Sequence, residues 1–173
     1  MAVPKPAIRW VGASANNYTK GRTARIDRIT FHHIVGTGAS CEATFNNPSR
    51  GASATYSVGE DGLIRQHISE KDTPWSDGNW ESNQRTISIE HAGGHPNVPY
   101  TSAMYKSAGK LHAWIIDRYG MTYFPKHREV SRSPTVCSGG LDRERILADA
   151  RAIIKANNTV PQPPPPPNTP STR

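Results

Sequence analysis

Hydrophobic and polar positions alternate along Ile29-Thr30-Phe31-His32, and the β-branched, aromatic run continues through His33-Ile34-Val35 to Gly36-Thr37-Gly38. That pattern predicts the first clear strand. Thr86-Ile87-Ser88-Ile89-Glu90 alternates in the same way and predicts another. Between them, Ala54 to Val58 and Leu63 to His67 flank Gly59-Glu60-Asp61-Gly62, whose Asp-Gly pair suits a hairpin turn. Two longer segments carry a helical period instead. Met104, Ala108, Leu111 and Ile115 form one apolar stripe, which predicts a helix over 102–119 with Ser102 as N-cap and Gly120 past its end. Ile146, Ala150, Ile153 and Ile154 do the same for 142–157, with Asp142 as cap, Leu141 and Ile146 as a staple, and the stripe turned to the sheet. A shorter helix is expected over 40–48, capped by Ser40 and stopped near Pro48. Residues 70–85 are polar, bear tryptophan and read as a loop.

The two ends differ from this middle. Residues 1–28 are polar and basic with little periodicity, and are expected to form an extended arm packed on the domain. Seven of the last thirteen residues are proline, including Pro163 to Pro167. Such a tract cannot pack a core and favours extended polyproline conformations. The chain therefore divides into an arm (1–28), a folded domain (29–158) and a proline-rich linker (159–173) expected to lead to a further module. Strands with long intervening helices, plus a hairpin, imply an α/β fold: a single domain with a central mixed β-sheet flanked by helices.

Composition narrows the function classes. At 173 residues, 35% hydrophobic and 20% charged, the chain has a globular balance. It has no run of about 18 apolar residues, so no transmembrane helix is expected. Met1 to Trp10 lacks the apolar core of a signal peptide. Lys and Arg number 21 against 14 Asp and Glu, a net charge of +7 that draws the chain toward polyanions or anionic surfaces. There is no basic run and no basic-aromatic interleaving, so nucleic acid is not the expected partner. An anionic cell envelope fits the charge, and a well-solvated surface explains it equally. The two cysteines permit one disulfide but do not make a disulfide scaffold. Cys41 reads as a small apolar filler, whereas Cys137 lies in a loop of Pro, Ser, Thr and Gly where packing does not explain it.

His32 and His33 are adjacent on a strand, so their side chains point to opposite faces. His127 follows the long helix, and Cys137 comes ten residues later. Imidazole and thiolate are both zinc ligands, and three such groups leave a fourth position for water. The spacing by itself also allows satisfied structural histidines and an inert thiol. Glu90 ends its strand on the face of Ser88 and Thr86, a place for a general base or for a solvated carboxylate. His67, His91, His95 and His112 are expected to face solvent or cap the core.

Several segments, in order, resemble the type 2 N-acetylmuramoyl-L-alanine amidase family, which includes phage endolysins and peptidoglycan recognition proteins. Ile29-Thr30-Phe31-His32-His33 resembles its first zinc-binding strand, and Gly59 to Ile64 its hairpin. Pro74-Trp75-Ser76-Asp77-Gly78-Asn79 is similar to its tryptophan and glycine loop, and Ser88-Ile89-Glu90 to its acidic strand. Lys126-His127-Arg128-Glu129-Val130 and Pro134-Thr135-Val136-Cys137 resemble its second and last ligand motifs.

The resemblance implies Zn2+ held by His32, His127 and Cys137, with His33 on the opposite face. It implies Glu90 as the base that activates water and Thr135 as a donor to the developing oxyanion. Trp75 and Asn79 would line the muropeptide groove, and Arg128 or Arg132 would meet a stem-peptide carboxylate. The sequence departs from the family at Ala54 and Thr55, where a tyrosine-histidine pair is common, at Ser76, where histidine usually follows the tryptophan, and at Ser138, where proline usually follows the cysteine. The missing tyrosine shifts weight to Glu90.

The implied activity is cleavage of the amide between the muramic acid lactyl group and L-alanine of peptidoglycan. With its proline tract, the chain looks most like the amidase domain of a phage endolysin, a monomer joined to a C-terminal wall-binding module. It would be made in the host cytoplasm and act on the wall after release through holin pores, with anionic wall polymers as further partners. The competing readings are a non-catalytic peptidoglycan-binding module and an amidase with Cys137 as nucleophile.

Overall fold

A computed structural model describes residues 1–159; the proline-rich tract lies outside the described residues, apart from Thr159. Seven strands and five α-helices follow one another in it. They are β1 (Arg9–Trp10), β2 (Tyr18–Thr19), β3 (Arg28–His33), α1 (Gly38–Asn46), β4 (Tyr56–Val58) and β5 (Ile64–Gln66). Then come β6 (Thr73–Pro74), α2 (Trp80–Arg85), β7 (Thr86–His91), α3 (Ser102–Tyr119), α4 (His127–Val130) and α5 (Arg143–Thr159).

Five strands make one mixed sheet in the order β1-β5-β4-β7-β3. β7 lies inside the sheet between β3 and β4 and runs parallel to both, while β4 and β5 form the antiparallel hairpin. The α/β architecture with a central mixed sheet is as expected. Inside residues 1–28 lies more regular structure than an extended arm suggests. Arg9 and Trp10 add a parallel edge strand to β5, and Tyr18 and Thr19 pair with β6 in a second, two-stranded sheet.

The two-residue period sorts the sheet into two unlike faces. Ile29, Phe31, Ile87, Ile89, Tyr56, Val58 and Ile64 are buried in one core with Met104, Ala108, Leu111 and Ile115 of α3. Thr30, His32, Ser88, Glu90, Thr55, Ser57 and Arg65 alternate with them and form the polar face. Register places His32 beside Glu90, and Glu90 beside Ser57. α1 covers part of that face, with Phe45 edge-on to His67 at 5.0 Å and Glu42 accepting from Arg65 Nε at 3.3 Å.

Several local expectations shift. α1 starts two residues early, because Thr37 caps it: the Thr37 hydroxyl accepts from Ser40 N at 3.1 Å, and Ser40 Oγ in turn accepts from Thr37 N. The 70–85 loop contains β6 and the helix α2, whose N-cap is Asn79. Thr101, not Ser102, caps α3 by accepting from Met104 N at 3.0 Å. Gly120 ends α3 in the left-handed region at φ 63°, as a C-terminal glycine does. α5 runs on to Thr159, past the expected ends at 157 for the helix and 158 for the domain. Ile146 reaches the main core, but Ile153 and Ile154 do not face the sheet. They pack around Val3, Ala113 and Ala150, because α5 lies on the outer side of α3.

Candidate metal centre

His32 sits near the carboxyl end of β3, on the polar face, and is 2% exposed. Ligands in open α/β sheets gather at that end of the strands. The segment before α4 docks against the other side of β3. Phe31 N donates to Pro125 O at 2.9 Å, and Phe31 bridges to Lys126. The next residue, His127, is thereby carried to His32, with ring centroids 4.6 Å apart. The loop after α4 folds back: Arg128 N donates to Cys137 O at 2.9 Å, and His33 N donates to Cys137 Sγ at 3.4 Å. Thr135 Oγ1 accepts from Cys137 N at 3.2 Å and closes the turn.

One ligand atom each from His32, His127 and Cys137 falls within 4.8 Å of the others. His32 Nδ1 lies 3.8 Å from Cys137 Sγ. His127 Nε2 is sealed from solvent without a hydrogen-bond partner. Two imidazoles and a thiolate are the donors a tetrahedral zinc site uses, and its ligand atoms sit roughly 3–4 Å apart. The cluster therefore fits a metal with modest closure. His33 points away, its Nδ1 2.8 Å from the Tyr100 hydroxyl. Both cysteines are free thiols, with Cys41 buried against Phe45 and Ala54.

The electrostatics come from buried groups. Burial would lower the pKa of His32, but Asp77, Cys137 and Glu90 outweigh it and hold the imidazole well above its usual value. Asp77 is completely buried. Burial would raise its pKa, yet the bond from His32, with help from Ser82 and Ser76, holds it down at about 2. Glu90 Oε2 is inaccessible and has no hydrogen-bond partner. Burial raises its pKa above the ordinary carboxylate value, partly offset by His32.

The other expected site residues are spread around this centre. Trp75 and Asn79 line an open cleft of about 430 Å³ with Gly51, Gly78, Trp80 and Asn83. Both are anchored: Trp75 Nε1 donates to Thr19 Oγ1 at 2.9 Å, and Asn79 Nδ2 to Val130 O at 2.9 Å. Arg128 is exposed on α4. His67, His91 and His112 are all buried, and His95 is exposed. Sequence reasoning missed Asp77 as a partner of the site. An aspartate two residues past a tryptophan in a glycine-bearing loop was a visible signal, but its burial was not.

Residues 22–140 match the family model described as N-acetylmuramoyl-L-alanine amidase. No curated protein matches the chain. Among solved structures it is similar to the endolysin amidase LysCS from Clostridium intestinale, with 18% identity over 87% of this chain and 99% of that one, at a TM-score of 0.62. An AmpD derivative aligns with 20% identity over 86% of this chain and 97% of that one, at a TM-score of 0.71. The Ph2119 endolysin of a Thermus scotoductus bacteriophage aligns with 18% identity over 83% and 99%, at 0.66. At such identities the likeness is one of fold.

Proposed function

The chain belongs to the N-acetylmuramoyl-L-alanine amidase family, and from that premise we propose that it hydrolyses the amide between the muramic acid lactyl group and L-alanine of peptidoglycan. The observation that carries the reading is the convergence of His32, His127 and Cys137 at the carboxyl end of β3, inside the segment the family model covers. It is a wall-degrading hydrolase, and the metal its donor set favours is zinc. When bound, zinc polarises the scissile carbonyl and acidifies water.

The chain's own residues supply the rest of the chemistry. Glu90 stands beside His32 on the polar face, with a sealed carboxylate oxygen and a raised pKa. We assign it the proton transfer: a carboxylate oxygen takes a proton from the attacking water and returns it to the leaving amine of L-alanine. Thr135 Oγ1 already accepts from Cys137 N, so its own hydroxyl hydrogen is free to donate toward the developing oxyanion. Trp75 offers an apolar wall to the substrate. Asn79, whose amide is committed to Val130 O and to capping α2, shapes the cleft more than it grips. Arg128, exposed on α4, is assigned to a stem-peptide carboxylate.

The similarity to phage endolysins supports a role in host lysis. In that reading the monomeric enzyme is made in the host cytoplasm and reaches the wall through holin pores. An arm (1–28), a catalytic domain (29–158) and a proline-rich tether (159–173) to a wall-binding module complete it, though α5 extends the domain by a residue. The net charge of +7 supports contact with anionic wall polymers.

The test is hydrolysis of purified cell walls with and without a strong chelator. New amino groups on L-alanine without new reducing sugar ends, lost on chelation and restored by Zn2+, are expected. No hydrolysis by zinc-replete protein would overturn the catalytic reading. Activity that survives chelation but not thiol alkylation would assign the reaction to Cys137 as nucleophile.

A further inference from the structure

One buried charge has no role in the chemistry above. Asp77 is fully buried in the loop between β6 and α2, and donors surround its carboxylate. Oδ1 faces His32 Nε2 at 3.1 Å and accepts from Ser76 Oγ at 2.7 Å. Oδ2 accepts from Thr30 Oγ1 at 2.9 Å and from Ser82 Oγ at 2.5 Å. The loop itself is pinned, with Asp77 N and Ser76 N donating to Asn83 Oδ1 at 2.8 and 3.2 Å.

Burying a carboxylate costs several kcal/mol unless it is paired and hydrogen-bonded. Among the described residues, the only titratable side chain bonded to this one is His32. On the other edge of that ring, Nδ1 faces Cys137 Sγ. An imidazole whose Nε2–H is held by a carboxylate must ligate through Nδ1, with its ring plane set and its lone pair made more basic.

We propose that Asp77 is the positioning residue of the metal centre: it holds the His32 ring in the Nε2–H tautomer and aims Nδ1 at the ion. The proposal rests on the metal reading of His32, His127 and Cys137 and deepens it. It also gives a role to the departure at Ser76. The serine hydroxyl donates to the same carboxylate, so Ser76 and Asp77 together buttress the first ligand.

The experiment is a zinc titration of the metal-free wild type, Asp77→Ala, Asp77→Asn and Ser82→Ala against a chromophoric competing chelator. Thermal unfolding of each metal-free protein is measured alongside. Asp77→Ala should weaken zinc binding roughly 10–100-fold. Asp77→Asn, whose amide oxygen still accepts from His32, should recover part of that loss. Ser82→Ala lowers the melting temperature but keeps the His32 bond, so its zinc affinity should stay within about twofold of wild type. In the zinc-loaded wild type, long-range 1H–15N spectra should place the His32 proton on Nε2.

Wild-type affinity in folded Asp77→Ala would overturn the proposal, as would a His32 proton on Nδ1. If Asp77→Ala does not fold, Asp77→Asn decides, and unchanged affinity there overturns it. A wild type that binds no zinc overturns both this proposal and the metal reading. Tight wild-type binding with unaffected variants overturns this proposal alone.

Discussion

Glu90 shows how one side chain's surroundings set its chemistry. Strand alternation puts it on the polar face, and register puts His32 on one side and Ser57 on the other. Loss of solvent at Oε2 raises its pKa, which suits the proton-transfer role proposed for it. Glu90→Gln keeps the shape and removes the basic oxygen. It should lower kcat on purified walls by about 10²–10⁴-fold while metal content by elemental analysis stays at the wild-type level. A variant with full turnover would remove Glu90 from the mechanism. At this scale the sequence was most legible where chemistry and position coincide. The histidine pair on β3 had to split across the sheet, and it does: His32 turns to Asp77 and Cys137, while His33 turns to Tyr100. Asp77 was not legible, because a loop aspartate reads as solvated until the fold buries it.

Among the elements, the long helices follow from periodicity, and their ends follow from single hydrogen bonds. Ser102 and Thr101 are both acceptable caps by residue type. Thr101 takes the position because its hydroxyl accepts from Met104 N and also donates to Glu60 O at 2.5 Å, tying α3 to the hairpin turn. Thr101→Ala should cost about 1–2 kcal/mol of unfolding free energy in urea titrations, and Ser102→Ala only a few tenths. Equal effects from the two substitutions would reassign the cap. The short elements escaped sequence reading for a different reason. β6 is two residues long and α2 six, too short for a period to register. They form because β2 supplies the pairing and Asn79 supplies the cap. α5 is a mixed case. Its stripe was readable, but the sheet is not what most of it meets, because α3 stands between them.

For the whole molecule, burial of His67 and His112 makes a prediction about acid. Desolvation pushes both down to about 4 from 6.5, His67 with Ser57 Oγ at its Nε2 and His112 with Ala108 O at its Nδ1. Because the folded pKa lies below the unfolded one, the unfolded chain binds more protons between these values. The stability each neutral ring preserves is whole above about pH 6.5 and is lost as pH falls toward 4, by about 3 kcal/mol per group at most. Chemical denaturation of zinc-loaded protein from pH 7.5 to 4 should show the fall. His112→Phe, which keeps the ring stacked on Phe31 and His91, should make the slope shallower. An unchanged slope in that variant would remove His112 from the acid response. The amino-acid sequence by itself determined the two faces of the sheet, the two long helices and the hairpin, and supplied candidate metal donors that the family resemblance narrowed to His32, His127 and Cys137. Period and donor chemistry are local properties of a chain. Only the tertiary structure decided that His127 and Cys137 come within reach of His32, that Asp77 is buried behind it, and that residues 9–10 extend the sheet. Those contacts join segments distant in sequence, and no spacing along the chain encodes the docking of 123–126 against β3 or the burial of a loop carboxylate.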